Sequence, residues 1–420
     1  AIAAVIAGGV ATFTMSTSTL DSLRLTRESY YRDARFAEVF DSVKRAPEAL
    51  LPRLREIPGV QTIETRVLTT AHLTLDSYPQ PVLANIYSIP DSHPPLLNRL
   101  TFRAGSTVRP GHEEDVVISE PFARAHHLAP GAELHAVIHG RRKLLRVSGV
   151  ALSPEQIYQV APGQVIPDFQ GFAILWMART PLERACGMDG AFNDLSLSLA
   201  PGASESDVID RLDRRLSRYG SLGAIGRHDQ LSHRYVSEEF KQLESMATIY
   251  PAVFLAVAAF LLNVVVSRLI ATQREQIAIL KAFGYTDAAI ATHYCLFVAC
   301  IVAAGLAAGI AAGAALGHGL SRLYMDYFRF PSLEYDLALR HVLTPALVTA
   351  AAALAGTLFA VLRAASLPPA EAMRPASPPR YHLSFFDRIG LGRLLAPPTR
   401  MIARNLQRRP LKAIFSIAGI

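Results

Sequence analysis

The sequence predicts an α-helical polytopic membrane protein with a large inserted α+β extracytoplasmic domain. Three observations carry this. Hydrophobic residues fill 50% of the 420 positions and charged residues only 18%, against about 25% charged in a typical soluble domain. Four long stretches, 1–20, 245–267, 288–321 and 341–362, contain no Asp, Glu, Lys or Arg. A hydrocarbon core about 30 Å thick needs roughly 20 apolar residues of helix, and each stretch is long enough. Between the first and second lies a charged segment with mixed helix and strand patterns, large enough to hold its own core.

Residues 1–20 are read as the first transmembrane helix. It opens at Ala1 without the basic lead-in of a secretory signal, so it is expected to be truncated and the chain to be part of a longer protein. Residues 21–245 are read as the extracytoplasmic domain. Helical spacing marks Ala46–Glu56, Pro121–His127, Glu205–Tyr219 and Ser237–Met246. Alternating or β-branched runs mark Gln61–Leu75, Asp115–Ile118, Glu133–Ile138, Leu144–Val150, Phe172–Met177 and Asp194–Leu199. Turn pairs such as Pro58-Gly59, Pro130-Gly131, His139-Gly140 and Pro201-Gly202 separate them. Such runs imply α+β layers rather than a doubly wound sheet. No Pro or Gly interrupts Glu238–Tyr250, so the last outer helix is expected to run straight into the second span, 246–267.

A short cytoplasmic helix is expected within 268–288, then a third span at 289–317, an extracytoplasmic loop at 318–341 and a fourth span at 342–362. A basic cytoplasmic linker, 363–412, leads to the start of a fifth, truncated span at 413–420, after which three further spans are expected. Orientation follows from the Lys and Arg residues, which favour cytoplasmic connections. The linker holds ten basic residues against Glu371 and Asp387, whereas 322–340 balances three basic with three acidic. The outer segment, with 26 basic and 28 acidic residues between 21 and 244, is net −2, so the chain's +7 is cytoplasmic in origin. The charge therefore signals orientation, and no nucleic-acid partner is expected, since that needs a basic patch on a soluble face.

Cys186 is the one outer cysteine, while Cys295 and Cys300 fall in the third span. Cys186 can be a buried, inert thiol or an interchain partner, but not part of an intradomain disulfide. In the third span Gly305, Gly309, Gly313 and Gly317 recur every fourth residue and so share one smooth helix face. Small-residue faces let helix backbones approach closely in lipid. The face serves either a sliding contact or static packing. No charged residue lies inside a span, which argues against an ion-coupled path, and His293 and His318 sit near span ends.

The cytoplasmic helix carries Arg274, Glu275, Ile277, Leu280, Lys281 and Phe283, with Gly284 as its C-terminal stop. Ile277, Leu280 and Phe283 follow helical spacing. A short amphipathic helix of this kind either docks in a partner's groove or rests in the membrane interface.

These residues, directly after a span, resemble the coupling helix of the FtsX/MacB-like family of ABC transporter permeases. Pro369–Pro375 after the fourth span is similar to that family's post-membrane signature. Ala403–Lys412, followed by an apolar run, resembles the lead-in to its first transmembrane helix. In the outer segment Ile57–Val60, Asp115–Glu120, Pro130-Gly131 and Ser153–Tyr158 with Phe172–Met177 resemble a MacB-like periplasmic core domain. The resemblance spans essentially the whole chain and implies one repeat followed by the start of a second. It implies a permease subunit in a bacterial inner membrane, in contact with lipid, pseudo-dimeric with its own second half or dimeric. It also implies a cytoplasmic ABC ATPase partner docked around Arg274–Gly284, and allows a periplasmic partner. A phosphate loop would end in Gly-Lys-Ser/Thr, and no Gly-Lys pair occurs, so ATP and Mg²⁺ are expected on a separate subunit and no cofactor in this chain.

Enzyme readings do poorly. His112-Glu113-Glu114 lacks the second His of a zinc-protease helix, and His135 and His139 are placed in one strand, where a four-residue spacing is no ligand face. There is no Gly-x-Ser-x-Gly elbow. Ser204, with Asp207 three residues on, reads as a helix cap, and Trp176 as core. The expected function is export or extraction of a lipid, lipoprotein, peptide or other amphiphile. The alternative is a mechanotransmitting or sensing protein of the same architecture that moves no substrate.

Overall fold

The computed structural model describes residues 2–75 and 78–365. Most of the expected basic linker, the truncated fifth span and the motifs at Pro369–Pro375 and Ala403–Lys412 lie outside the described residues. The described residues form two compact units, one of 2–18, 245–317 and 337–365, the other of 19–244 and 318–336.

The second unit is the α+β domain. In chain order it takes the end of α1 (Ile2–Asp33), then β1 (Val39–Pro47), α2 (Leu51–Arg55), β2 (Val60–Arg66), β3 (Leu68–Leu75), β4 (Tyr78–Ile89), β5 (Thr101–Gly105) and β6 (Asp115–Ser119). There follow α3 (Glu120–Ala125), β7 (Glu133–Ile138), β8 (Arg141–Leu152), β9 (Phe172–Ala178), α4 (Arg179–Cys186), β10 (Ala191–Leu199), α5 (Glu205–Leu216) and β11 (Ile225–Gly226). Its last pieces are the start of α6 (Leu231–Thr272) and the end of α8 (Asp287–Phe328).

Seven strands run in the order β5-β8-β6-β9-β4-β3-β7, and β7 also pairs with β8, so the sheet closes on itself. Closure removes the unpaired edges that a strand otherwise presents. Strand β3 alternates buried and exposed residues, as a half-buried strand must. Strand β9 is buried throughout: Ala173, Leu175 and Met177 face the barrel interior with Phe122, and Phe172, Ile174 and Trp176 pack outside it with Val117 and Ala151. Strands β11-β1-β10-β2 form a separate antiparallel sheet. Its apolar face, with Val39, Phe192 and Leu195, packs on Val208, Leu212 and Leu216 of α5. The Ser204 side chain accepts from the Asp207 backbone N–H at 3.3 Å and caps that helix.

One buried ion cluster joins the two sheets. Arg66, at the end of β2, donates to both carboxylate oxygens of Glu155, after β8, at 2.6 and 2.9 Å, and to Asp194 on β10 at 2.7 Å. Burial pushes the Asp194 carboxyl up from 3.8, Arg66 pulling it back, while the two carboxylates hold Arg66 well above its usual range against the cost of burial.

The first unit is a helix bundle: the start of α1, the rest of α6, α7 (Arg274–Ala282), most of α8 and α9 (Leu339–Ala365). Three helices, Ile2–Asp33, Leu231–Thr272 and Asp287–Phe328, are long and apolar enough to cross a membrane. Only 22% of the most apolar window of α6, and of α8, is buried within the protein, so the rest of that apolar surface suits lipid. The bundle interior holds Ile6, Val10, Leu262, Val266, Ile290 and Val302.

Several expectations change. Residues 318–328 are helix, the end of α8, rather than loop, and α1 continues to Asp33 beyond the apolar run that marked it. Ala46 and Pro47 end β1 rather than begin a helix. Strands β1, β4, β5 and β11 and helix α4 went unforeseen. Strand β4 carries Pro79 and Pro81 near its start, which mask it. Helix α6 does run from the outer segment into the second span, with Pro251 inside it. His139 lies in the β7–β8 turn at φ +45°, not in the strand with His135. Cys186 packs half-buried against the barrel core, and burial pushes its thiol up, away from reactivity. Trp176 is buried.

Candidate functional site

Helix α7 begins where α6 breaks at Gln273, whose backbone leaves helical geometry at φ −96°, ψ 13°. The Gln273 carbonyl still accepts from the Ile277 N–H at 3.0 Å, and its side-chain oxygen accepts from the Tyr294 hydroxyl at 2.7 Å. Glu275 lies in the first turn of α7 and Lys281 in the last, the charge order that the helix dipole favours. At the far end Gly284 takes φ +94°, a left-handed conformation that costs a side-chain-bearing residue. The Gly284 N–H donates to Lys281 O and the Tyr285 N–H to Leu280 O, the paired bonds of a Schellman stop.

This short helix has a clear inner and outer side. Ile277 and Ala278 are buried, Ile277 packing in the bundle core with Ile270, Ile290 and Tyr294. Glu275 is exposed, as are Leu280 at 41%, Phe283 at 79% and Tyr285 at 57%. Of the expected apolar trio only Ile277 points inward, so an aromatic and aliphatic patch faces outward. Lys281 forms an ion pair with Asp287 at 2.9 Å, tying α7 to the start of α8. Arg274 opens the helix. Ile279 and Tyr285 are exposed beside the patch although neither was singled out as a site residue. Their apolar character and proximity to Gly284 were the available signal.

Gly305, Gly309, Gly313 and Gly317 of α8 are all buried. A Cβ added at Gly305 would lie 2.9 Å from Ile6 Cγ2, one at Gly309 2.8 Å from Ala7 O, and one at Gly313 2.8 Å from Ala11 O. Ordinary non-bonded carbon contacts lie near 3.5–4.0 Å. The three glycines thus let α8 meet the backbone of α1 directly. Both residue numbers rise together along the seam, so the two helices run parallel. Across α1, Gly9 meets Phe254 and Leu255 of α6, at 3.3 and 3.4 Å from its would-be Cβ.

Among the described residues no group of three or more His, Cys, Asp and Glu is placed to hold a metal.

Lipid-facing helices with an α+β unit inserted between the first and the second define a polytopic membrane protein with an extracytoplasmic domain. Residues 248–369, which include α7 and the glycine stripe of α8, match the FtsX-like permease C-terminal family. No curated protein matches the chain. The chain is also similar to the extracellular domain of the noncanonic ABC-type transporter YknZ from Gram-positive bacteria. Identity there is 12% over 45% of this chain and 98% of that one, with a TM-score of 0.31. The periplasmic region of MacB from Actinobacillus actinomycetemcomitans gives 10% identity over 50% and 95%, with a TM-score of 0.32.

Proposed function

We propose that this chain is the permease subunit of an ABC transporter of a bacterial inner membrane, with α7 as the coupling helix on which a separate cytoplasmic ATPase docks. ATP and Mg²⁺ belong to that ATPase. Its cycle moves the α+β domain on the outer side, which acts as a MacB-like periplasmic core, and the work done is export or extraction of a lipid, lipoprotein, peptide or other amphiphile. The observation that carries this reading is the outward patch of Leu280, Phe283 and Tyr285 on a helix braced from behind by Ile277. An amphipathic helix set into a partner's groove uses such anchors, and the patch lies inside the stretch that matches the permease family. Helix α6, unbroken from Leu231 to Thr272, runs from the outer segment to the start of α7. This favours mechanical transmission, which serves a mechanotransmitter as well as a transporter.

The test is affinity purification of the full-length protein from its native membrane in mild detergent, comparing wild type with a Glu275→Lys, Gly284→Glu double variant. An ATPase subunit co-purifying with wild type and lost from the variant is the expected result. Equal recovery with both, or with neither, refutes docking on α7. Net movement of a lipid or peptide in reconstituted vesicles then separates transport from mechanotransmission.

A further inference from the structure

The α+β unit contains a cavity of about 710 Å³ that the coupling reading does not use. Its walls come from the end of α8, the segment just after it, Arg103 of β5, and Glu120 and Arg124 of α3. The segment after α8 is held in place by buried side chains. Thr26 Oγ1 accepts from the Glu334 N–H at 2.9 Å and Ser22 Oγ from the Asp336 N–H at 3.0 Å. Arg103 donates to the carbonyls of Phe330 and Pro331 at 3.0 and 2.8 Å, and the Phe330 side chain is buried.

Four arginines line this space against two carboxylates. Glu120 is already shared by Arg103 at 3.4 Å and Arg124 at 3.8 Å. Asp326 is the second carboxylate. Among the described residues neither the Arg322 nor the Arg329 guanidinium has a hydrogen-bonded or ion-paired partner, and Arg329 Nε is buried with none. Arg329 lies over the Phe169 ring, 5.8 Å from its centroid, and its backbone sits at φ +52°. Burial, with the neighbouring Arg124 and Arg103, pushes the Arg329 guanidinium below its usual range against the opposing pull of Glu120 and Asp326. Met325, Leu333 and Tyr335 supply an apolar side to the same space.

An excess of unpaired guanidinium groups in a preformed cavity is the chemistry of phosphate recognition, since the planar fork of Arg matches two phosphate oxygens. Position narrows this further. Arg322 is the first charged residue after the charge-free stretch 288–321, which places it at the level where interfacial cations meet headgroups. We propose that this cavity binds an anionic phosphate group, presented by a lipid headgroup or as a free ion, between Arg322 and Arg329, with the apolar wall taking adjoining hydrocarbon or glycerol. The site shares no residue with α7, so failure of ATPase co-purification leaves it untouched.

The test is native mass spectrometry of the full chain in detergent, titrated separately with dioleoylphosphatidylglycerol, dioleoylphosphatidylcholine and inorganic phosphate. Wild type is compared with Arg322→Gln/Arg329→Gln, with Arg322→Gln alone, and with Arg184→Gln, an exposed arginine paired with Glu113. Phosphatidylglycerol or phosphate is expected to bind wild type and the Arg184 variant alike. Binding to the double variant should fall at least about tenfold, the loss of one or more charge-assisted hydrogen bonds. Phosphatidylglycerol bound without phosphate assigns the site to a lipid headgroup, and phosphate bound without the lipid assigns it to a free ion. Arg322 is exposed, so its single variant carries the test if the double variant fails to fold. Binding undiminished by loss of the arginines, equal binding of phosphatidylcholine, or no binding of either anion to wild type overturns the proposal.

Discussion

Arg66→Met retains most of the side-chain bulk at a buried position of β2 and deletes its charge. In the native chain the guanidinium is enclosed between Glu155 and Asp194, with the Tyr87 ring 5.2 Å from its centre. Removing it leaves two buried carboxylates facing one another. Breaking a buried ion pair in this way costs about 3–5 kcal/mol, which for a domain of this size lowers the unfolding midpoint by about 2–4 °C per kcal/mol, roughly 10 °C in all. The cost carries a pH signature. Burial already raises Asp194 above 3.8 and Arg66 opposes that rise, so the variant's folded-state value climbs further. A carboxylate raised in the folded state holds its proton longer than in the unfolded chain, so stability is present at low pH and lost as pH rises. The penalty should therefore be larger at neutral pH and shrink as pH falls towards the ordinary carboxylate range. The assay is built in, because Trp176 is the protein's one tryptophan and lies buried in this domain, beside Arg66 in the same small cavity. Its emission in the full chain reports unfolding of the outer unit alone. A midpoint within about 2 °C of wild type at pH 7, or a penalty indifferent to pH, would refute the reasoning.

Gly309→Ala places a methyl group 2.8 Å from both Ala7 O and Val10 Cβ and is expected to destabilise the bundle by about 1–3 kcal/mol, the range for overpacking. Ala308→Val, on an exposed face of the same helix, should leave the unfolding midpoint in detergent unchanged, and equal effects of the two would sink the seam assignment. Burial pushes Asp41 up from 3.8 to about 6 despite hydrogen bonds from Ser221. Its folded form keeps the proton that the unfolded chain sheds, so stability should fall as pH rises from about 4 to about 6 and level off above. Asp41→Asn should flatten that part of the Trp176 unfolding profile, and a profile of unchanged slope would count against the assignment.

The long apolar helices α1, α6 and α8 were legible because absence of charge over twenty residues is a signal that needs no partner. Alternation in β3 and the cap at Ser204 were legible for the same reason, being properties of adjacent residues. What escaped depends on distant ones. Gln61–Leu75 reads as a single run, yet it divides at Val67, whose N–H is taken by Ser88 Oγ, and its two halves enter different sheets. Arg66 looks like an ordinary strand residue until Glu155 and Asp194 are brought to it. The cationic cavity draws Arg103 and Arg124 from one part of the chain and Arg322 and Arg329 from another, so spacing gave no hint of it. The glycine stripe was visible but its counterpart was not, since Ala3, Ala7 and Ala11 sit in an apolar run where any small residue passes without notice.

That counterpart bears on whether the seam slides or merely packs. Ala3, Ala7 and Ala11 repeat with the same four-residue period as Gly305, Gly309 and Gly313, so a shift of one repeat, about 6 Å along a helix, again sets small residues against small residues. The two directions are unequal. Moving α8 so that Ala3 meets Gly309 brings Ala7 to Gly313 and Ala11 to Gly317, keeping a glycine opposite each alanine. Moving it the other way brings Ile301 onto Ala3 and Met15 onto Gly313, bulk that the close backbone approach does not admit. Thr14 marks the end of the repeat on α1: its Cβ lies 2.7 Å from the would-be Cβ of Gly313, and its hydroxyl donates to His341 O of α9 at 3.3 Å. In the observed register the seam is tied to α9 through the Thr14 hydroxyl and the His341 carbonyl.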